Sequence, residues 1–195
     1  MFWGNPDASV NFCEDDYVKS NYIAEYNNTI TCIFYLIPAF VLWNTKMKNI
    51  SYCLISLAVG SAILHSTLRY YGQWMDEISM LILSFYTLIN LNYPVYLYQL
   101  FVIIGIYLML WNHFIVFFFM FTAMQILIAL KSKKKSTKKI NSIMTKLYLI
   151  FFILGTISWC FDKFLCSYVK DYNLHSWWHL FTSLAITFGY LGLIL

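Results

Sequence analysis

Apolar residues come in long unbroken runs along most of the chain, and polar residues collect between the runs. Seven stretches approach the roughly 20 apolar residues that a helix needs to cross a bilayer. They cover roughly 27–44, 51–71, 77–92, 94–111, 113–130, 146–161 and 175–195. A run such as FIVFFFMF (114–121) shows no alternation of apolar and polar positions, which argues against a β-barrel. Pro94 falls at the start of the fourth run, where a helix tolerates proline. The connections are short. The pattern predicts an all-α membrane protein: a seven-transmembrane helix bundle over 27–195, preceded by a polar N-terminal segment over 1–26.

Composition agrees. Hydrophobic residues make up 61% of the chain and charged residues 11%, against about half and about a quarter in a soluble domain. Too little polar surface is left to cover a water-soluble core. Charge then sets the expected orientation. Lys131, Lys133, Lys134, Lys135, Lys138, Lys139 and Lys146 lie between the fifth and sixth runs, and Lys46 and Lys48 between the first and second. In a seven-span bundle both connections share one side, which the positive-inside rule makes cytoplasmic. All the acidic residues map to the other side. The N-terminus is therefore expected in the lumen or outside the cell, and the C-terminus in the cytoplasm. The lysine-rich stretch 131–139 reads as a loop that fixes topology, not as a nucleic-acid patch. The first twenty residues lack the basic-then-apolar order of a signal peptide, so the first span is expected to direct insertion. Cys13 and Cys166 fall in polar segments on the outer side, where oxidation is permitted, and are expected to pair. Cys32, Cys53 and Cys160 fall within spans and read as buried apolar thiols.

Some polar residues sit inside these spans, where they cost free energy and point to chemistry. His65 lies towards the outer end of the second span, and His175 and His179 open the seventh at the same depth. Histidines four apart share a helix face. With a third imidazole they suit a catalytic zinc, which keeps a fourth position open for water. Interfacial histidines bonded to water or backbone remain the plainer alternative. Ser61 precedes His65 by one turn, suited to bonding a developing oxyanion or to helix packing. Asp76, placed at the start of the third span after a turn containing Gly72, suits proton transfer, an N-cap or pairing with Arg69. Glu77 reads as its solvated neighbour, and Arg69 as structural. Asn11, Glu14, Asp15, Asp16 and Glu25 put oxygen ligands in a short stretch, suited to calcium or to a solvated acidic loop.

Taken in order, these motifs resemble one family. NFCEDDYVKSNYIAEYNNTI (11–30), GSAILHSTLRYYGQWMDEISM (60–80), WCFDKFLC (159–166) and HSWWH (175–179) are similar to the ordered motifs of the alkaline ceramidases. Those belong to a wider group of seven-helix zinc hydrolases that includes the adiponectin receptors. The resemblance implies a zinc-dependent amidase that cleaves ceramide within an endoplasmic reticulum or Golgi membrane, without an obligate protein partner. It implies His65, His175 and His179 as zinc ligands and Ser61 and Asp76 as catalytic partners. It further implies a calcium site of Asn11, Glu14, Asp16 and Glu25 with the backbone oxygen of Phe12, and a Cys13–Cys166 disulfide. Asn11 and Asp16 exchange the family's aspartate and asparagine, which conserves the number of carboxylates. A receptor-like relative with weak or vestigial hydrolysis is the alternative.

Overall fold

The computed structural model describes residues 2–135 and 139–195. Lys138, and the side chains of Lys134, Lys135 and Lys139, on which part of the charge asymmetry rests, lie outside the described residues. Among the described residues the secondary structure is helical, without a strand. The longer helices are α1 (Tyr26–Leu42), α2 (Lys48–Thr67), α3 (Tyr70–Asn90), α4 (Leu97–Leu110), α5 (Phe114–Lys135), α6 (Lys139–Phe164) and α7 (Leu174–Ile194). Short helical turns at Cys166–Val169 and Lys170–Tyr172 link α6 to α7. Of these helices, α2, α5, α6 and α7 are long and apolar enough to cross a membrane. α1 and α4 are apolar but shorter. α3 is long, but Gln73, Asp76, Glu77 and Ser79 dilute its apolar character.

Each apolar run carries a helix, and the ends differ where local sequence misleads. α1 tightens into a 3₁₀ turn over Cys32–Tyr35, because Pro38 has no N–H to offer the Phe34 carbonyl one turn back. α2 stops at Thr67, and Leu68 turns the chain with a left-handed backbone at φ 51°. α3 then starts at Tyr70, well before residue 77. Gly72 is consequently inside a helix, and Asp76 lies more than a turn into it. Pro94 sits in the link before α4, which starts at Leu97.

Two glycines bring α2 and α3 together. A Cβ on Gly60 would lie 2.7 Å from the Met75 backbone, and one on Gly72 would lie 2.7 Å from the Leu64 backbone. No larger residue fits at either crossing. α6 packs along α7, and α1 lies against α2 and α7. By contrast, α5 and α6 touch each other little.

The bundle is apolar outside and partly polar inside. Phe40, Phe101, Phe119 and Leu130 are exposed on helix faces, while Ser51, Ser61, His65, Gln73, Glu77, Ser84 and Ser183 are buried. This is the arrangement expected when the surrounding solvent is lipid. The N-terminal segment caps one end. The last carbonyls of α2 have no partner within their own helix, and the segment supplies donors. Glu25 N–H bonds the His65 carbonyl at 2.9 Å, Ala24 N–H the Ser66 carbonyl at 3.0 Å, and Asp7 and Ala8 N–H the Leu68 carbonyl at 3.1 Å. Cys13 and Cys166 form a disulfide that ties the cap to the α6–α7 link.

Candidate metal centre and its cavity

α2 ends, and α7 begins, beneath the N-terminal cap. Their histidines converge there, with ring centroids 4.9 Å apart for His65 and His175, 5.1 Å for His65 and His179, and 4.8 Å for His175 and His179. All three are buried. Two of the rings are oriented from behind. His65 Nδ1–H donates to the buried Glu25 carboxylate. The Thr31 hydroxyl gives its hydrogen to the Asn27 carbonyl at 2.8 Å, so at 2.9 Å it accepts from His179 Nδ1–H. Each bond fixes a tautomer and leaves Nε2 free on the side away from its partner. The third ring, His175, buries Nδ1 with no hydrogen-bond partner. An orphaned imidazole nitrogen among two oriented imidazoles fits a divalent cation, and zinc takes neutral histidine readily. The ligand atoms that all lie within 4.8 Å of one another are those of Cys32, His65 and His179; His175 stands beside this set and is not part of it. The Cys32 thiol donates to the Asn28 carbonyl at 3.1 Å. Sequence reasoning treats Cys32 as an apolar core thiol. Its burial is as expected, but its place beside the imidazoles is not legible from spacing.

Ser61, Asp76, His175 and His179 line one end of a cavity of about 370 Å³. The Ser61 hydroxyl interacts with the Asp76 carboxyl, which also lies within electrostatic reach of His65. Asp76 keeps some accessible surface because it faces this space. Beyond these groups the walls turn apolar, with Phe118, Phe121, Ile126, Leu149, Phe152 and Ile153. These walls come from both α5 and α6, which touch each other little. Glu77 is not solvated: it is 2% exposed and lines the same cavity. Arg69 pairs with neither Asp76 nor Glu77. It bonds Asp7 at 2.9 Å and the Trp3 and Asn5 carbonyls at 3.2 and 2.8 Å, holding the start of the cap.

The acidic segment meets the histidine cluster through one residue. Glu25 is fully buried and takes three donors: His65, the Phe12 N–H at 3.1 Å and the Asn28 side chain at 3.2 Å. Glu14 accepts the Asn27 and Asn28 N–H groups at 2.6 and 2.8 Å, an acidic cap for the N-terminus of α1. Asn11 Oδ1 accepts the Phe12 N–H at 2.8 Å. Asp16 buries one carboxylate oxygen without a partner. Burial, and then the Glu25 charge, push the Asp16 carboxyl above its ordinary range; the Asn11 side chain opposes this, while Asp15 and Glu14 add to it. An orphaned, crowded carboxylate fits a cation.

Two features escape sequence reasoning. The Phe12 ring lies against His175, tilted by 32° with centroids 3.7 Å apart, and covers the site from the cap side. Asp162 on α6 is buried and accepts the Cys13 N–H at 3.1 Å and the His175 N–H at 3.2 Å. It thereby joins the disulfide to the first turn of α7.

Comparison with known proteins places the fold and site in context. The profile of the family described as Ceramidase matches residues 4–195. The chain is 25% identical to the alkaline ceramidase YPC1 of Saccharomyces cerevisiae, over 95% of this chain and 75% of that protein. It is 27% identical to the alkaline ceramidase of Arabidopsis thaliana, over 93% of this chain and 81% of the relative. To the alkaline ceramidase 3 of Mus musculus it is 21% identical, over 94% and 82%. With a match that runs from residue 4 to the last residue and takes in every residue of the histidine cluster, the chain belongs to the ceramidase family.

Proposed function

We propose that this chain is an intramembrane zinc-dependent amidase that hydrolyses ceramide to a sphingoid base and a free fatty acid. The observation that carries the reading is the convergence of His65, His175 and His179 at the polar end of an otherwise apolar cavity. His65, His175 and His179 would hold the ion, with Cys32 beside them. Zinc so held supplies a nucleophilic water at neutral pH and a Lewis acid for a carbonyl oxygen. Asp76 accepts the proton of the attacking water and returns it to the leaving nitrogen. Once Asp76 carries that proton, the Ser61 hydroxyl turns its hydrogen from the carboxyl to the carbonyl oxygen, where negative charge builds. Phe12 and the cap shield the reacting groups, and the apolar walls receive the hydrocarbon chains.

The same reading places seven helices, α1 to α7, across an endoplasmic reticulum or Golgi membrane. The cap and the disulfide then face the lumen, and the lysine-rich α5–α6 connection faces the cytoplasm. Mass spectrometry of the products formed from a ceramide panel by purified protein tests the activity. Release of equal amounts of sphingoid base and fatty acid is expected. Stoichiometric zinc without turnover would favour the receptor-like alternative.

Calcium is assigned to Asn11, Glu14, Asp16, Glu25 and the Phe12 carbonyl, on the strength of the orphaned Asp16 oxygen and the crowding of carboxylates around it. The raised Asp16 carboxyl means that the cation-free fold holds a proton there more tightly than the unfolded chain does. Its ionisation therefore costs the empty site stability as pH rises, and calcium offsets that cost. Calcium is expected to raise the melting temperature of chelator-washed protein at neutral pH, and by less as the pH falls through the Asp16 titration. No calcium-dependent shift at any pH would rule the site out.

A further inference from the structure

The cavity contains one carboxyl group for which the proposed chemistry has no use. Glu77 follows Asp76 on α3, both line the cavity, and only Asp76 lies against Ser61. Helical geometry separates the two side chains by about 100° around the axis, so they meet different parts of a ligand. Glu77 also keeps acceptor positions open: its partners are Gln73 and Tyr107. Gln73 clamps the cap, accepting the Ser9 N–H at 2.7 Å and donating to Ser9 Oγ at 2.8 Å. Its remaining hydrogen is spread over both Glu77 oxygens at 3.2 and 3.3 Å. The Tyr107 hydroxyl lies alongside. A carboxylate has about four acceptor positions, and a buried polar group left short of partners is costly. Several other polar groups on the walls have protein partners. Gln125 donates to Ser84 at 2.8 Å, Thr156 to the Phe152 carbonyl at 2.9 Å, and Tyr35 and Thr182 bond each other at 3.1 Å.

We propose that Glu77 recognises the hydroxyl groups of the sphingoid base, and so selects ceramides over fatty amides that lack them. This rests on the ceramidase reading. With the amide held between the histidine cluster and Asp76, the two hydroxyl-bearing carbons that flank the nitrogen-bearing carbon stay at the polar end of the cavity. Glu77 sits there, directly beneath the cap. Hydroxyl hydrogens then fill its open acceptor positions, and an amide without hydroxyls leaves the carboxyl with its contacts to Gln73 and Tyr107 alone. Sites built to bond a hydroxyl reject analogues that lack it for this reason.

The test compares kcat and KM for ceramide with those for two analogues, one lacking the primary hydroxyl and one lacking the secondary hydroxyl. Wild type, Glu77→Gln and Glu77→Leu are purified as full chains. Wild type is expected to prefer ceramide over at least one analogue by about tenfold or more in kcat/KM. Glu77→Gln keeps part of that preference, since an amide still bonds a hydroxyl, and Glu77→Leu brings the ratio towards one. A wild type that does not discriminate, or a Glu77→Leu variant that discriminates like wild type, overturns the proposal. If Glu77→Leu does not fold, an undiminished ratio in Glu77→Gln overturns it. A second readout needs no turnover: binding of sphingosine, against the same amine without its hydroxyls, followed through intrinsic tryptophan fluorescence, since Trp159 and Trp178 line the cavity. Should wild type cleave no ceramide yet bind sphingosine preferentially through Glu77, the ceramidase reading fails and the role of Glu77 stands. Equal binding of the two amines counts against Glu77.

Discussion

If the proposed zinc site is right, His179→Ala is expected to purify as a folded protein that neither retains zinc nor hydrolyses ceramide. His179 supplies one of three imidazoles whose centroids lie about 5 Å apart, and its Nδ1 is already committed to Thr31. Nothing else on α7 can take its place, because His175 is one turn away and already in the cluster. Losing only an outer partner of a ligating histidine costs about 10–100-fold in affinity or activity. Loss of the ligand itself should exceed the upper figure. Elemental analysis reads the metal, and product formation reads the chemistry. Two variants serve as controls. Exposed His113→Ala should change neither reading, and Cys32→Ser should retain zinc because three imidazoles remain. Full zinc occupancy and normal turnover in His179→Ala would overturn the metal assignment.

Glu25→Gln is expected to have the next largest effect. The carboxylate is the hub between cap and cluster, taking the His65 Nδ1–H, the Phe12 N–H and the Asn28 amide. Glutamine has one oxygen in place of two and brings an NH₂ group into a pocket of donors. At least one buried donor is left unpaired, at a cost of about 1–3 kcal/mol. His65 loses the carboxyl partner that fixes its tautomer and ring orientation. Activity should fall by about 10–100-fold, with a lower melting temperature and weaker zinc retention on dialysis. A variant with unchanged zinc retention and turnover would show that the Glu25–His65 bond is incidental to the site. Glu14→Gln is the useful comparison, since Glu14 caps α1 and makes no contact with a histidine.

The contrast between these residues shows what the sequence makes legible. Lipid demands continuous apolar runs, and every run carries a helix. Histidine spacing on α7 and the depth of His65 on α2 are local quantities, so the meeting of the three rings was readable. The Glu25–His65 bond joins residues 40 apart, and no period encodes it. Glu77 looks solvated beside Asp76 in a polar stretch. It is buried because α3 begins at Tyr70 and turns Gln73 and Glu77 inward together, a tertiary choice that local hydropathy does not record. The left-handed Leu68 that separates α2 from α3 has the same character. A leucine gives no turn signal, and the conformation is held by the cap residues that bond its carbonyl. Asp162 is invisible for a similar reason: it serves Cys13 and His175, one of them from the far end of the chain.

The sparse contact between α5 and α6, both of which wall the cavity, bears on how this protein should be assayed. A lipid entering there never leaves the hydrocarbon phase, so the concentration that governs encounter is its mole fraction in the membrane or micelle, not its amount per volume of buffer. Diluting substrate with inert detergent at constant bulk concentration should slow turnover, and inhibitor potencies will transfer between preparations only when expressed per surface lipid.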